Sequence, residues 1–220
     1  MKKLVAELIG TYILVFCGTG AIVIDNVTKG GVTHIGVALT WGLIVMSLIY
    51  ALGEVSGAHM NPAVSIAFTL AGRFQKKSLI PFIVSQLAGA ILASLTLKLL
   101  FPTDQLLGVT LPNGSAMQSF VLELLLTFFL MLIILQVATG SKEQGMMAGI
   151  AIGAVVLLEA MFAGPICGAS MNPARSVGPA LVSGHFENLW IYTAAPIIGA
   201  GLAVPVWKYL TQQTSIIDQV

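Results

Sequence analysis

Six apolar runs, each near the length that crosses a bilayer, fall into two groups of three, and each group carries one copy of the same polar loop. The runs lie near residues 4–24, 35–52, 79–101, 117–138, 145–163 and 189–210. Crossing a hydrocarbon core of about 30 Å takes about 20 residues of helix. Backbone groups in lipid must find partners within their own segment, so each run is predicted to be a transmembrane helix. Polar connections separate the runs at 25–34, 73–78, 102–115, 140–144 and 183–188. Two shorter stretches, 56–72 and 167–182, are apolar but too short and too broken by Gly and Pro to span. They occupy matching places after the second and fifth runs.

Composition removes the soluble alternatives. Hydrophobic residues make up 57% of the chain and charged residues 9%, against about 25% charged in an ordinary soluble domain. A net charge of +1 leaves no electrostatic footprint for nucleic acid. Cys17 and Cys167 both lie in apolar stretches and form neither a disulfide framework nor a metal spacing. No cofactor and no metal are expected. No nucleophile–base pair is in view, so an enzyme is not expected either. The start, Met1-Lys2-Lys3 and an apolar run, imitates a secretory leader. The run continues to about Ile24 without a small-residue cleavage site and is read as the first span.

Cation placement sets the expected orientation. With the N-terminus in the cytoplasm, that side collects Lys2, Lys3, Arg73, Lys76, Lys77, Lys142 and Lys208. The opposite side receives Lys29 and, snorkelling from a helix end, Lys98. Three spans per group is an odd number, so the two groups enter the bilayer with opposite sense. The expected fold is an all-α membrane protein of six transmembrane helices plus two re-entrant half-helices in an inverted repeat. It is read as one transmembrane domain over 1–220, with repeats of approximately 1–110 and 111–220. Paired broken helices in an inverted repeat point to a site near the bilayer midplane.

The duplicated loop supplies that site. Ser56-Gly57-Ala58-His59-Met60-Asn61-Pro62-Ala63-Val64-Ser65 lies over Cys167-Gly168-Ala169-Ser170-Met171-Asn172-Pro173-Ala174-Arg175-Ser176. Asn is a favoured helix N-cap, its side-chain oxygen accepting a first-turn N–H. Pro suits the first helical position, where its missing N–H costs nothing. Each motif is therefore expected to start a half-helix, with the Asn NH₂ donors free to point away from it. Opposed by the inverted repeat, two helix N-termini of about half a positive charge each should meet near the membrane centre. They repel cations and align neutral hydrogen-bonding solutes.

The forms Ser-Gly-x-His-x-Asn-Pro-Ala-Val and Ser-x-Asn-Pro-Ala-Arg-Ser resemble the two signatures of the aquaporin, or major intrinsic protein, family. The resemblance covers essentially the whole chain, including the acidic positions of the first and fourth spans. It implies a passive channel, assembled as a homotetramer, whose partners are small neutral solutes, water and the lipid bilayer. It implies that Asn61, Pro62, Ala63, Asn172, Pro173 and Ala174 form the central pore motifs. Arg175, where the first copy has Val64, becomes the charged member of an outer selectivity filter. Trp41, Ala160 and Ala169 are its remaining walls, although Trp41 also has a reading as an interfacial anchor.

Water-selective members have a bulky His where Ala160 stands. Two alanines imply a wider lumen, with Trp41 opposite the Arg175 donors, suited to glycerol, other small polyols or metalloid hydroxides. Glycerol facilitators typically carry Asp after the Arg, whereas this chain has Ser176. The combination looks most like the nodulin-type intrinsic proteins, a subfamily associated with glycerol, small amides, ammonia and metalloid acids.

Glu7 and Glu123 each open a Glu-x-x-x-Thr pattern, with Thr11 and Thr127. The favoured role is loop support, by accepting backbone N–H groups; a proton relay is the alternative. His59 either lines a vestibule or bonds the loop, and Glu159 beside Ala160 has no assigned role. The expected function is passive permeation of glycerol-like solutes with water. A water-selective channel is the alternative within the class, and a proton-coupled carrier using Glu7, Glu123 or Glu159 is the alternative outside it. Short termini and loops give the expectation of a prokaryotic inner membrane, with both termini cytoplasmic.

Overall fold

The computed structural model describes residues 1–217, with side chains given except at 143, 144 and 212–217. Among the described residues nine helices follow in order: α1 (Lys2–Val27), α2 (Thr33–Ser56), α3 (Pro62–Leu70), α4 (Lys76–Leu100), α5 (Ala116–Thr139), α6 (Lys142–Met146), α7 (Ala148–Cys167), α8 (Pro173–Ser183) and α9 (Leu189–Ile217). Six of them, α1, α2, α4, α5, α7 and α9, are long and apolar enough to cross a membrane. The outward faces of α2, α4, α5, α7 and α9 carry Leu43, Val84, Leu99, Phe129, Phe162 and Leu202, each about half exposed or more. In water that surface would be a liability. In hydrocarbon it is the required covering, and the expected six spans with two half-helices are the fold observed.

The helix pairing repeats itself. In the first half α1 packs on α4 and α2; in the second α5 packs on α9 and α7. Each half-helix lies against the last span of the other half, α3 on α9 and α8 on α4. The two halves are thereby interlocked. Matched glycines permit the tightest crossings. A side chain on Gly89 of α4 would meet the backbone of α1 at Tyr12 N, 2.9 Å away, and one on Gly199 of α9 the backbone of α5 at Phe128 N, 3.1 Å away. Small residues let helices approach closely where no hydrophobic effect drives them together.

Three expectations shift. The connection at 140–144 is partly helical, because α6 forms there, and α7 begins only at Ala148. The half-helices are shorter than the apolar stretches, since 57–61 and 168–172 run outside helix. Lys98 does more than snorkel: its Nζ donates to the carbonyl of Val182 at 3.0 Å, in the last turn of α8. A cation there meets the negative end of the helix dipole.

Candidate functional site

Both re-entrant loops reverse the chain through left-handed backbone. Gly57 and Gly168, with φ of 94° and 85°, terminate α2 and α7. Ala58, Met60, Ala169 and Met171 then hold φ of 48°, 47°, 40° and 52°. Such conformations cost about 1–3 kcal/mol per non-glycine residue and persist only where surroundings over-determine them. Two buried carboxylates supply that determination. Glu7 accepts from Ser56 Oγ at 2.7 Å, His59 N at 3.0 Å, Met60 N at 2.7 Å and Gln86 Nε2 at 2.7 Å. Glu123 accepts from Ser170 N at 2.7 Å and Met171 N at 2.8 Å. Both side chains are wholly buried.

The loops deliver Asn61 and Asn172 as the N-caps of α3 and α8. Asn61 Oδ1 accepts from Ala63 N at 2.9 Å, and Asn172 Oδ1 from Ala174 N at 3.0 Å and Arg175 N at 3.4 Å. Pro62 and Pro173 occupy the first helical positions. The amide nitrogens depart from expectation. Asn61 Nδ2 donates to Met171 O at 2.8 Å, and Asn172 Nδ2 donates to Met60 O at 2.8 Å. Each amide has two N–H groups, so one braces the opposite loop and one remains for a solute.

These groups face a cavity of about 730 Å³. Tyr50, Glu54 and Lys142 line one part of it, and Trp41, Ala160, Ala169 and Arg175 another. Asn61, Val64 and Asn172 line it too, as does His59. Pro62, Ala63, Pro173 and Ala174 do not; they are buried behind the two asparagines. Nor do Glu7 and Glu123, which are spent on the loops, or Glu159. Glu159 is 3% exposed and neither of its oxygens has a hydrogen-bond partner among the described residues.

Trp41 is 9% exposed, in the core, not at a lipid interface. The Arg175 guanidinium carbon stands 5.0 Å from its ring centroid, within cation–π range, and Arg175 Nη1 donates to Gly108 O at 2.7 Å. His59 lines the cavity, and its Nδ1 lies 3.0 Å from Ser65 Oγ of α3. Its ring is packed among Phe68, Phe74 and Phe82, with centroids 4.9, 4.9 and 5.4 Å away. The geometry offers a lumen whose wall carries amide donors, a guanidinium lying over an indole, and the methyl groups of Ala160 and Ala169.

The major intrinsic protein model matches residues 1–207. The chain belongs to the major intrinsic protein family. It is 48% identical over 210 residues to aquaporin NIP1-1 of Zea mays, a match spanning 95% of this chain and 74% of that one. It is 49% identical over 211 residues to nodulin-26 of Glycine max, over 95% and 77% of the two chains. The X-ray structure of the aquaglyceroporin from Plasmodium falciparum superposes with a TM-score of 0.86 at 25% identity, covering 100% of this chain and 99% of that one. This intrinsic protein is thus a multi-pass membrane channel for water and small solutes, not an enzyme. The relatives named from maize and soybean are plant proteins, and they give no support to the expectation of a prokaryotic inner membrane.

One part of the site escaped the sequence. The connection 101–115 of this intrinsic protein folds back into the molecule, burying Leu107 at 1% exposure. Its Gly108 carbonyl holds Arg175, and its Thr110 Oγ1 donates to Ser176 Oγ at 2.8 Å. Asn113 fastens it to the end of α7, through N to Ile166 O at 2.9 Å and Nδ2 to Pro165 O at 3.2 Å. Ser176 is wholly buried and lies 2.6 Å from Ser170 Oγ, so it ties the loop and does not line the cavity. Gly108, at φ 70°, was the available signal, a glycine inside an otherwise apolar Leu-Leu-Gly-Val-Thr-Leu segment.

Proposed function

We propose that this intrinsic protein passively conducts glycerol-like polyols together with water, and metalloid hydroxides of similar size and shape. The observation that supports this most is the small pair Ala160 and Ala169 on the cavity wall that also carries Trp41 and Arg175. A polyol has one hydroxylated edge and one carbon edge. Arg175 donates to the first, Trp41 packs against the second, and a larger residue at either alanine would occupy the solute's place. Aligned amide donors and helix N-termini at Asn61 and Asn172 then oppose cations.

In this reading the two asparagine motifs form the common barrier, while Glu7, Glu123 and His59 support the loops. One channel domain spans 1–220, its halves joining near residue 110. It assembles as a homotetramer and keeps both termini in the cytoplasm. Proteoliposomes test the reading. The expected result is glycerol entry well above protein-free vesicles, linear in concentration and indifferent to a pH gradient. Water flux without glycerol entry would favour a water-selective channel. Saturable, gradient-driven uptake would favour a carrier.

A further inference from the structure

The indole of Trp41 rests on a residue that has no side chain. A Cβ placed on Gly18 of α1 falls inside the van der Waals envelope of Trp41 Cζ2, Cζ3 and Cη2, far short of the roughly 3.5–4.0 Å of ordinary carbon contacts. The face of the indole's six-membered ring therefore lies against the α1 backbone itself. The Arg175 guanidinium over the same ring is held by Gly108 O through Nη1, and its backbone N is tied to Asn172 Oδ1. The open side of the ring is the cavity that Trp41 lines. Any side chain at position 18 drives the indole that way.

We propose that Gly18 is a specificity-determining positioning residue, because its missing side chain is the recess that keeps the Trp41 indole out of the solute path. The inference rests on the reading that Trp41 and Arg175 bound the selective constriction. It gives α1, which contributes no side chain to the proposed filter, control over the bore. Gly20, two residues on, is a matched control: a Cβ there meets only Leu97 Cδ2, at 3.3 Å.

Stopped-flow permeabilities per reconstituted channel test it, for water and glycerol, in Gly18→Ala, Gly18→Val and Gly20→Ala, with the first two repeated in a Trp41→Phe background. The glycerol-to-water ratio is expected to fall about tenfold in Gly18→Ala, the order of effect that one misplaced methyl has in a close-fitting site. It should fall further in Gly18→Val and stay at the wild-type value in Gly20→Ala. Trp41→Phe removes the fused six-membered ring that covers Gly18 and should restore the ratio to that of Trp41→Phe alone. Unchanged ratios in the folded Gly18 variants, or a loss that Trp41→Phe leaves in place, would overturn the inference.

Ala is the better helix former, so α1 itself is not weakened by Gly18→Ala. A Gly18→Ala chain that folds only with Trp41→Phe upholds the clash; failure of both to fold overturns it. Wild-type protein that passes water but no glycerol sinks the polyol reading and leaves Gly18 to be judged on water alone. Water flux reduced in Gly18→Val and restored by Trp41→Phe then supports the inference, and unchanged water flux overturns it.

Discussion

Ala160 puts a methyl group on the cavity wall where the Trp41 indole and the Arg175 guanidinium also stand. Ala160→His places a ring in that space and adds a polar nitrogen. Its glycerol-to-water permeability ratio is expected to drop by about tenfold or more, measured by light scattering in proteoliposomes. The two loop carboxylates make a second prediction, in which counting donors decides the order. Replacing Glu7 by Leu orphans four donors, and replacing Glu123 by Leu orphans two backbone N–H groups. At roughly 1–3 kcal/mol per buried unsatisfied donor, Glu7→Leu should destabilise by about twice as much as Glu123→Leu. Thermal unfolding in detergent should therefore rank wild type above Glu123→Leu above Glu7→Leu. Equal losses would mean that further groups hold the second loop.

Between elements, the decisive contact is the crossing of α2 with α7, since those helices carry Trp41 and Ala160. A Cβ on Gly42 would lie 2.5 Å from Leu157 Cβ and 2.7 Å from Gly153 O; one on Gly153 would lie 2.7 Å from both Gly42 O and Met46 Cβ. The neighbours there include backbone, so neither helix can relax by turning a side chain. Gly153→Leu is expected to cost at least the 1–3 kcal/mol typical of overpacking and to lower the unfolding temperature. Gly145→Ala, with nothing among the described residues within 4 Å of its Cβ, should leave that temperature unchanged. The sequence shows Gly145, Gly149 and Gly153 as one evenly spaced series. Yet one faces open space, the next lies under the Tyr50 ring and the third forms the crossing. Spacing marks a face, and only the partner helix decides which position on it is filled.

For the whole molecule, opposite insertion of the two halves predicts sidedness. Lys29→Cys should react with an impermeant maleimide from the outside of sealed cells only, and Lys142→Cys only after the inner face is opened. Labelling of both from one side would break the proposed topology. The sequence by itself determined the solvent, the six spans, the two half-helix starts and the inverted repeat. Apolar length and Asn-Pro capping are local properties, and a duplicated motif shows its symmetry without coordinates. It also nominated Trp41, Ala160, Ala169 and Arg175 from motif resemblance, and the structure places all four around one cavity. Only the tertiary structure decided what holds them there. The Asn61 and Asn172 amides brace opposite loops, the 101–115 connection returns to Arg175 and Ser176, and Gly18 underlies Trp41. Each of these joins residues from separate elements through a carbonyl, a backbone donor or a missing side chain. Such groups leave almost no trace in the sequence, because every residue has a backbone and glycine is common in membrane helices.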